Sequence, residues 1–281
     1  MWRLAFHDGA WELLLVALLT LLLHSTRETV RCTQVNFLSL LLLLAFWETR
    51  QRAIGGLWLG LAIVVKPVFF LLPVYLLIRR HWATLGGLVA TAIATCAFSI
   101  AAFGPRMFFS YFTANPVTLD VPDYFYTETV NQSLLATTLR WTQLDLAIHS
   151  PYDNPLFWSL AALLTGVTLW VTWRAPAGAD DWLLGTWLLL SLLLFPKTLA
   201  HYGVLLLLPI LLLWAHRHHF PGGAWMVAGL IGLLYISVYA EQATGGMILV
   251  WLALAFGSQF VPFGKGIKNN QDQAYVATAL A

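Results

Sequence analysis

The chain has 281 residues, 59% of them hydrophobic and only 10% charged. Soluble domains carry roughly 25% charged residues, so this composition excludes an ordinary soluble protein and reads as a polytopic, all-α membrane protein. A net charge of +2, with basic residues scattered over loops, excludes a nucleic-acid partner. Two distant cysteines, Cys32 and Cys96, exclude a disulfide framework and a metal cluster, and no cofactor is expected.

The apolar runs are taken in order, since about 20 residues cross the hydrocarbon core. Met1 to Asp8 precedes a short run, Ala10–Leu23, that has no small-residue cleavage site after it, so it does not read as a signal peptide. A polar stretch, His24 to Thr33, leads to a second run, Val35–Trp47. Ala53 to Arg80 is apolar almost throughout but carries Lys66-Pro67 at its midpoint, with Arg50, Arg52 and Arg79, Arg80 at its two ends. Ala83–Phe103 is a full span closed by Gly104-Pro105. Residues 104–154 form one long aromatic-rich segment with Asp120, Asp123 and Glu128. That aromatic density argues against disorder. The remaining spans are Pro155–Trp173, Trp182–Phe195, Gly203–Trp214, Ala224–Ala240 and Gly246–Val261, with Phe263–Ala281 as a polar tail.

Charge sets the orientation. Basic clusters prefer the cytoplasmic side, so both ends of 53–80 belong on one face and the stretch reads as a re-entrant helix pair with Lys66 at its tip. The same rule puts Arg174, His216–His219 and the tail on the cytoplasmic face. His24–Thr33, Lys66-Pro67, residues 104–154, Pro196–Tyr202 and Glu241-Gln242 then face the other way. About nine membrane segments result, in a domain spanning residues 1–262 followed by a cytoplasmic tail, 263–281. Tryptophans beside charged or turn residues (Trp47, Trp82, Trp173, Trp182) suit an interfacial belt.

This topology gathers the unusual polar residues on one face: Arg27, Glu28, Arg31, Gln34, Asn36, Lys66, Asn131, Gln132, Arg140, Lys197, His201 and Tyr202. Arginine grips a phosphate through paired donors and lysine acts as a point charge, while aromatic rings suit the C–H faces of a sugar. The set therefore points to an amphiphilic, anionic substrate from the outer leaflet. Bland readings stand beside this one. Lys66 snorkels from a helix end, Gln34 and Asn36 bond between helices, and Arg140 anchors at the interface beside Trp141. His216–His219 resembles a metal tract but reads as a charged boundary.

Six segments occur in a telling order: Thr33-Gln34-Val35-Asn36-Phe37, Leu61 to Pro67, Arg79 to Trp82, Gly104-Pro105, Asn131 to Leu134, and Pro196 with His201-Tyr202. Together they resemble glycosyltransferase family 87, the polyprenyl-phosphate-mannose-dependent α-1,2-mannosyltransferases and relatives of the GT-C fold. The resemblance implies transfer of a hexose, mannose in the family, from a polyprenyl-phosphate donor to a glycan or glycolipid acceptor. It places this chemistry at the extracytoplasmic face of the plasma membrane. His201, Glu28 and Asp120 are the implied catalytic candidates. Lys66, Arg140, Gln34, Asn36, Asn131, Gln132, Lys197 and Tyr202 are the implied lipid-phosphate and sugar ligands. Two departures stand out. The family's first outer loop with its acidic residue is not matched, so the chain reads as lacking the usual N-terminal part. Thr33 replaces a glycine and should give up the freedom for a positive φ. A transporter or flippase of a lipid-linked or anionic solute, or an inactive truncated remnant, is the alternative expectation.

Overall fold

The structure is a computed structural model that describes residues 24–113, 124–146, 148–240 and 242–259. The run Ala10–Leu23, Asp120, Asp123, Glu241 and the tail lie outside the described residues. Within them the chain is helical, and an isolated antiparallel bridge joins Asn131 to Leu199.

The first half comprises α1 (His24–Arg31), α2 (Asn36–Thr49), α3 (Ala53–Val65), a 3-10 turn (Pro67–Phe69), α4 (Leu72–Ile78) and α5 (Trp82–Thr113). After the short α6 (Tyr124–Thr127) and α7 (Leu134–Thr142) come α8 (Pro155–Arg174) and α9 (Asp180–Leu194). A 3-10 segment (Ala200–Leu206) then leads into α10 (Leu207–Ala215), followed by α11 (Gly223–Tyr239) and α12 (Ala243–Gly257). By length and composition, two helices can cross a membrane, Trp82–Ser110 and Pro155–Arg174. A third candidate arises if α1 and α2, bent by 118° at their junction, count as one span.

The breaks follow local chemistry. Proline disfavours helical geometry in the residue before it, and Lys66 sits extended at φ −144°, ψ 110°, ending α3 where expected. Gly104, at φ +80°, bends α5 at the expected place. The helix does not stop there, however. Pro105 suits the first turn of a new helix because its fixed φ is already helical, so residues 105–113 continue, and the segment expected to be loop begins as helix.

The core runs around α9, whose residues from Trp182 to Leu193 are all buried. Small residues let the other helices close on one another, the means by which apolar helices associate without a hydrophobic drive. A Cβ added at Gly56 would overlap the Thr84 carbonyl oxygen, and one at Gly87 would overlap that of Ala53. The α3–α5 contact is therefore backbone against backbone.

Four turns gather at one end of the bundle. Arg79 donates through Nε to Asp180 at 3.1 Å and through its terminal nitrogens to the carbonyls of Ala175 and Pro176 at 3.0 and 3.2 Å. Thr84 donates to the Arg50 carbonyl, and Asp181 lies 3.5 Å from His216, whose ring stacks on Trp182. Arg50, Arg52, Arg80, Arg174 and Arg217 share this end. The polar residues of interest gather at the other.

A matched pair of substitutions tests the α3–α5 contact. Gly87→Ala lowers the thermal midpoint in detergent, since overpacking of this kind costs about 1–3 kcal/mol. Gly86, one residue away, has open space where its Cβ would sit, so Gly86→Ala leaves the midpoint unchanged or raises it. Equal midpoints for the two variants would contradict the close approach.

Candidate functional site

Lys66 occupies the gap between α3 and the Pro67–Phe69 turn. It is 4% exposed, and its Nζ has no hydrogen-bond partner among the described residues. The ammonium lies 3.6 Å from the centroid of the Tyr202 ring. A cation over an aromatic face gains about 0.5–2 kcal/mol. A buried ammonium without an anion or hydrogen bonds costs several kcal/mol, which the ring does not offset. The ammonium is thus left without a compensating negative charge among the described residues.

The ring over Lys66 is set by the 3-10 segment that begins at Ala200. Tyr202 stacks on the His201 imidazole, with centroids 4.9 Å apart at 29°, and tilts against Phe195 at 6.0 Å. The His201 carbonyl accepts from Asn36 Nδ2 at 2.7 Å and from Thr29 Oγ1 at 2.9 Å, and Asn36 Nδ2 also donates to Thr29 Oγ1 at 3.0 Å. Gly203 allows α1 this close, because a Cβ there would overlap the Ser25 hydroxyl. Asn36 Oδ1, Ser25 Oγ and Thr26 Oγ1 are buried and have no partner among the described residues.

His201 lies in this turn, outside the long apolar helices. Burial first, and then the Lys66 ammonium, push its imidazole down from 6.5 to about 4, against an opposing pull from the Glu28 carboxylate. His201 is therefore neutral near pH 7, and Glu28 and Lys66 are its electrostatic neighbours. Glu28 keeps 24% side-chain exposure and pairs with Arg31 at 3.5 Å. Lys66, His201 and Tyr202 thus form one polar cluster assembled from the α3–α4 break and the 3-10 segment, with Glu28 of α1 near enough to act on the charge of His201.

Asn131, Gln132 and Arg140 do a different job. Residues 130–132 run beside 198–200: Ala200 N–H donates to the Val130 carbonyl at 2.9 Å, and Gln132 N–H to that of Thr198 at 2.7 Å. Asn131 Nδ2 reaches the carbonyls of Phe125 and Pro196 at 3.2 and 3.0 Å. Arg140 bonds the carbonyls of Glu128 and Asn131 at 2.9 and 3.0 Å and Thr137 Oγ1 at 3.1 Å. The Asn131 and Arg140 side chains hold backbone here. Gln132 Nε2 is buried without a partner among the described residues. Gln34 is half-buried, and its N–H donates to the Thr29 carbonyl at 2.9 Å. Lys197 is half-buried in the turn before the 3-10 segment, and burial lowers its pKa.

Two features were not visible in the sequence. Thr29 and Ser25 carried no signal, although a glycine directly after His201-Tyr202 could have marked a close approach. Thr33 adopts φ +50° despite its β-branch, so the left-handed turn persists without the glycine. Its hydroxyl donates to the Cys32 carbonyl at 2.8 Å. Among the described residues no group of three or more His, Cys, Asp or Glu side chains could hold a metal ion.

A family model described as "Glycosyltransferase family 87" matches residues 1–200. No curated protein and no solved structure matches the chain.

Two outcomes are expected. Thr33→Gly raises the thermal midpoint, because a β-branched residue is strained at positive φ and glycine is not, whereas Thr33→Ala gains less; a lower midpoint for Thr33→Gly would count against the turn. As pH falls from 6.5 to 4, the unfolded chain takes up a proton at residue 201 that the folded chain refuses, so stability drops across that window. His201→Gln removes this component, and midpoints measured from pH 7 to 4 fall less steeply in the variant than in the wild type.

Proposed function

The chain belongs to glycosyltransferase family 87, and from that membership we propose a membrane hexosyltransferase, using mannose, whose donor is a polyprenyl-phosphate sugar and whose acceptor is a glycan or glycolipid hydroxyl. Transfer takes place at the extracytoplasmic face of the plasma membrane. The observation that carries this reading is the Lys66 ammonium, buried against Tyr202 with no anion beside it among the described residues. The arginine-rich turns lie at the opposite end of the bundle, which supports a cytoplasmic placement for that end. On this reading about nine segments lie in the membrane, within residues 1–262. The helices at 53–65 and 72–78 re-enter from the cytoplasmic side, and residues 263–281 return to it.

In the proposed step the acceptor oxygen bonds to the anomeric carbon as the bond from that carbon to the phosphate oxygen breaks. The electron pair leaves with the lipid phosphate, and Lys66 offsets the charge that develops there. The acceptor proton passes to a carboxylate or an imidazole. Glu28 is the described acid beside the cluster, and Asp120 is a second candidate. His201, neutral near pH 7, is the third candidate and can also hydrogen-bond the reacting groups. Gln34, Asn36, Asn131, Gln132, Arg140, Lys197 and Tyr202 complete the proposed sugar and phosphate surroundings, with Asn36, Arg140 and Asn131 contributing through the backbone they hold.

Lys66→Ala in the full chain, supplied with radiolabelled polyprenyl-phosphate mannose in proteoliposomes, lowers transfer on the order of a hundredfold or more without loss of expression. Wild-type rates in that variant would remove Lys66 from the site. Movement of unchanged lipid without product would replace a transferase by a flippase.

A further inference from the structure

The His201 carbonyl is one meeting point of the two halves of the chain. It accepts hydrogen bonds from Thr29 Oγ1 and Asn36 Nδ2, 172 and 165 residues away in sequence. Thr29 is 1% exposed and Asn36 is fully buried. The Asn36 amide has one orientation that serves these contacts, because its nitrogen must donate to both the carbonyl and Thr29 Oγ1. Two donors on one carbonyl fix the plane of the peptide linking His201 to Tyr202. The ring that follows that peptide is the one 3.6 Å from Lys66 Nζ, and the ring that precedes it stacks on Tyr202.

We infer that Thr29 and Asn36 are positioning residues that set the Tyr202 ring over the Lys66 ammonium by clamping the His201–Tyr202 peptide. Neither side chain is placed against the ammonium, so both act through the backbone. Without the clamp the 3-10 segment loses these two hydrogen bonds to α1 and α2 and keeps on this side only packing such as Gly203 against Ser25, which has no directional bond. The ring then moves, and Lys66 gains access to solvent. The activity part of this inference rests on the proposed hexosyl transfer, whereas the positional part does not.

The test uses the full chain in proteoliposomes as wild type, Thr29→Val, Thr29→Ser and Asn36→Asp. Valine keeps the shape of threonine without the donor, serine keeps the donor, and aspartate keeps the shape of asparagine without the N–H. Lys66 is one of four lysines, with Lys197, Lys265 and Lys268, so labelling by an amine-reactive acyl reagent can be read at each by mass spectrometry. Thr29→Val and Asn36→Asp raise Lys66 labelling severalfold relative to Lys197, while Thr29→Ser stays at the wild-type ratio. In the transfer assay the first two lower kcat on the order of tenfold to a hundredfold, the scale of a misplaced site group, with little change in KM, and Thr29→Ser restores it. If Thr29→Val does not purify as a single species, Asn36→Asp and Thr29→Ser carry the same comparison. An unchanged Lys66 ratio in the donor-less variants overturns the clamp. So does an equal change in Thr29→Ser, which would mark a general packing role. A shifted ratio in a protein whose wild type transfers no sugar keeps the clamp and removes the hexosyltransferase reading.

Discussion

The constraint on which this fold turns is the burial of one ammonium. A charge taken out of water without an anion costs several kcal/mol, and a ring face returns only part of that. Such an arrangement persists only where the surroundings leave the side chain no route to solvent. Here those surroundings are built from parts distant in sequence: the proline break that places Lys66 between two helices, the close backbone contact of α3 with α5, and the 3-10 segment that carries Tyr202. Each is specified by groups that allow few substitutes, namely Pro67, Gly56 with Gly87, and the doubly bonded peptide at His201.

Some polar side chains that the sequence offers as ligands are occupied in holding backbone groups. Asn131 and Arg140 are basic or amide residues on the favoured face, and residue type alone cannot separate a ligand from a strut. Their donors meet the carbonyls of Phe125, Pro196, Glu128 and Asn131. In a low-dielectric interior every backbone oxygen left without a donor is costly. Irregular loops next to a membrane therefore recruit side-chain donors, and the residues that look most like ligands are often the ones recruited. Lys66 differs because its donors meet no acceptor at all among the described residues.

Much of the helical layout was legible. Apolar run lengths placed α2, α8 and α9 to within a few residues, the X-Pro rule placed the break at Lys66, and Gly104 marked the bend in α5. Lys66, His201 and Tyr202 lie on segments that the alternation of charge along the loops groups together, and they meet in the structure. The long-range bonds to the His201 carbonyl were not legible, because a carbonyl belongs to every residue and leaves no mark in composition. The left-handed turn at Thr33 was hidden for a related reason. Propensity argued against positive φ at a β-branched residue, and the demands of joining α1 to α2 at 118° overrode it.

Arg79 ties the base of the α3–α4 pair to the α8–α9 turn, about 100 residues further along the chain. The consequence is an order of assembly. During synthesis the first half leaves the ribosome with Arg79, Lys66 and Asn36 all lacking the groups that will hold them. It can insert but cannot settle until residues 175–180 and then 201 have been made. Contacts of such sequence separation form late and slow the final step. The first half can close α3 on α5 by itself, but its ties to the second half come last, and the final step of assembly is a docking between the two.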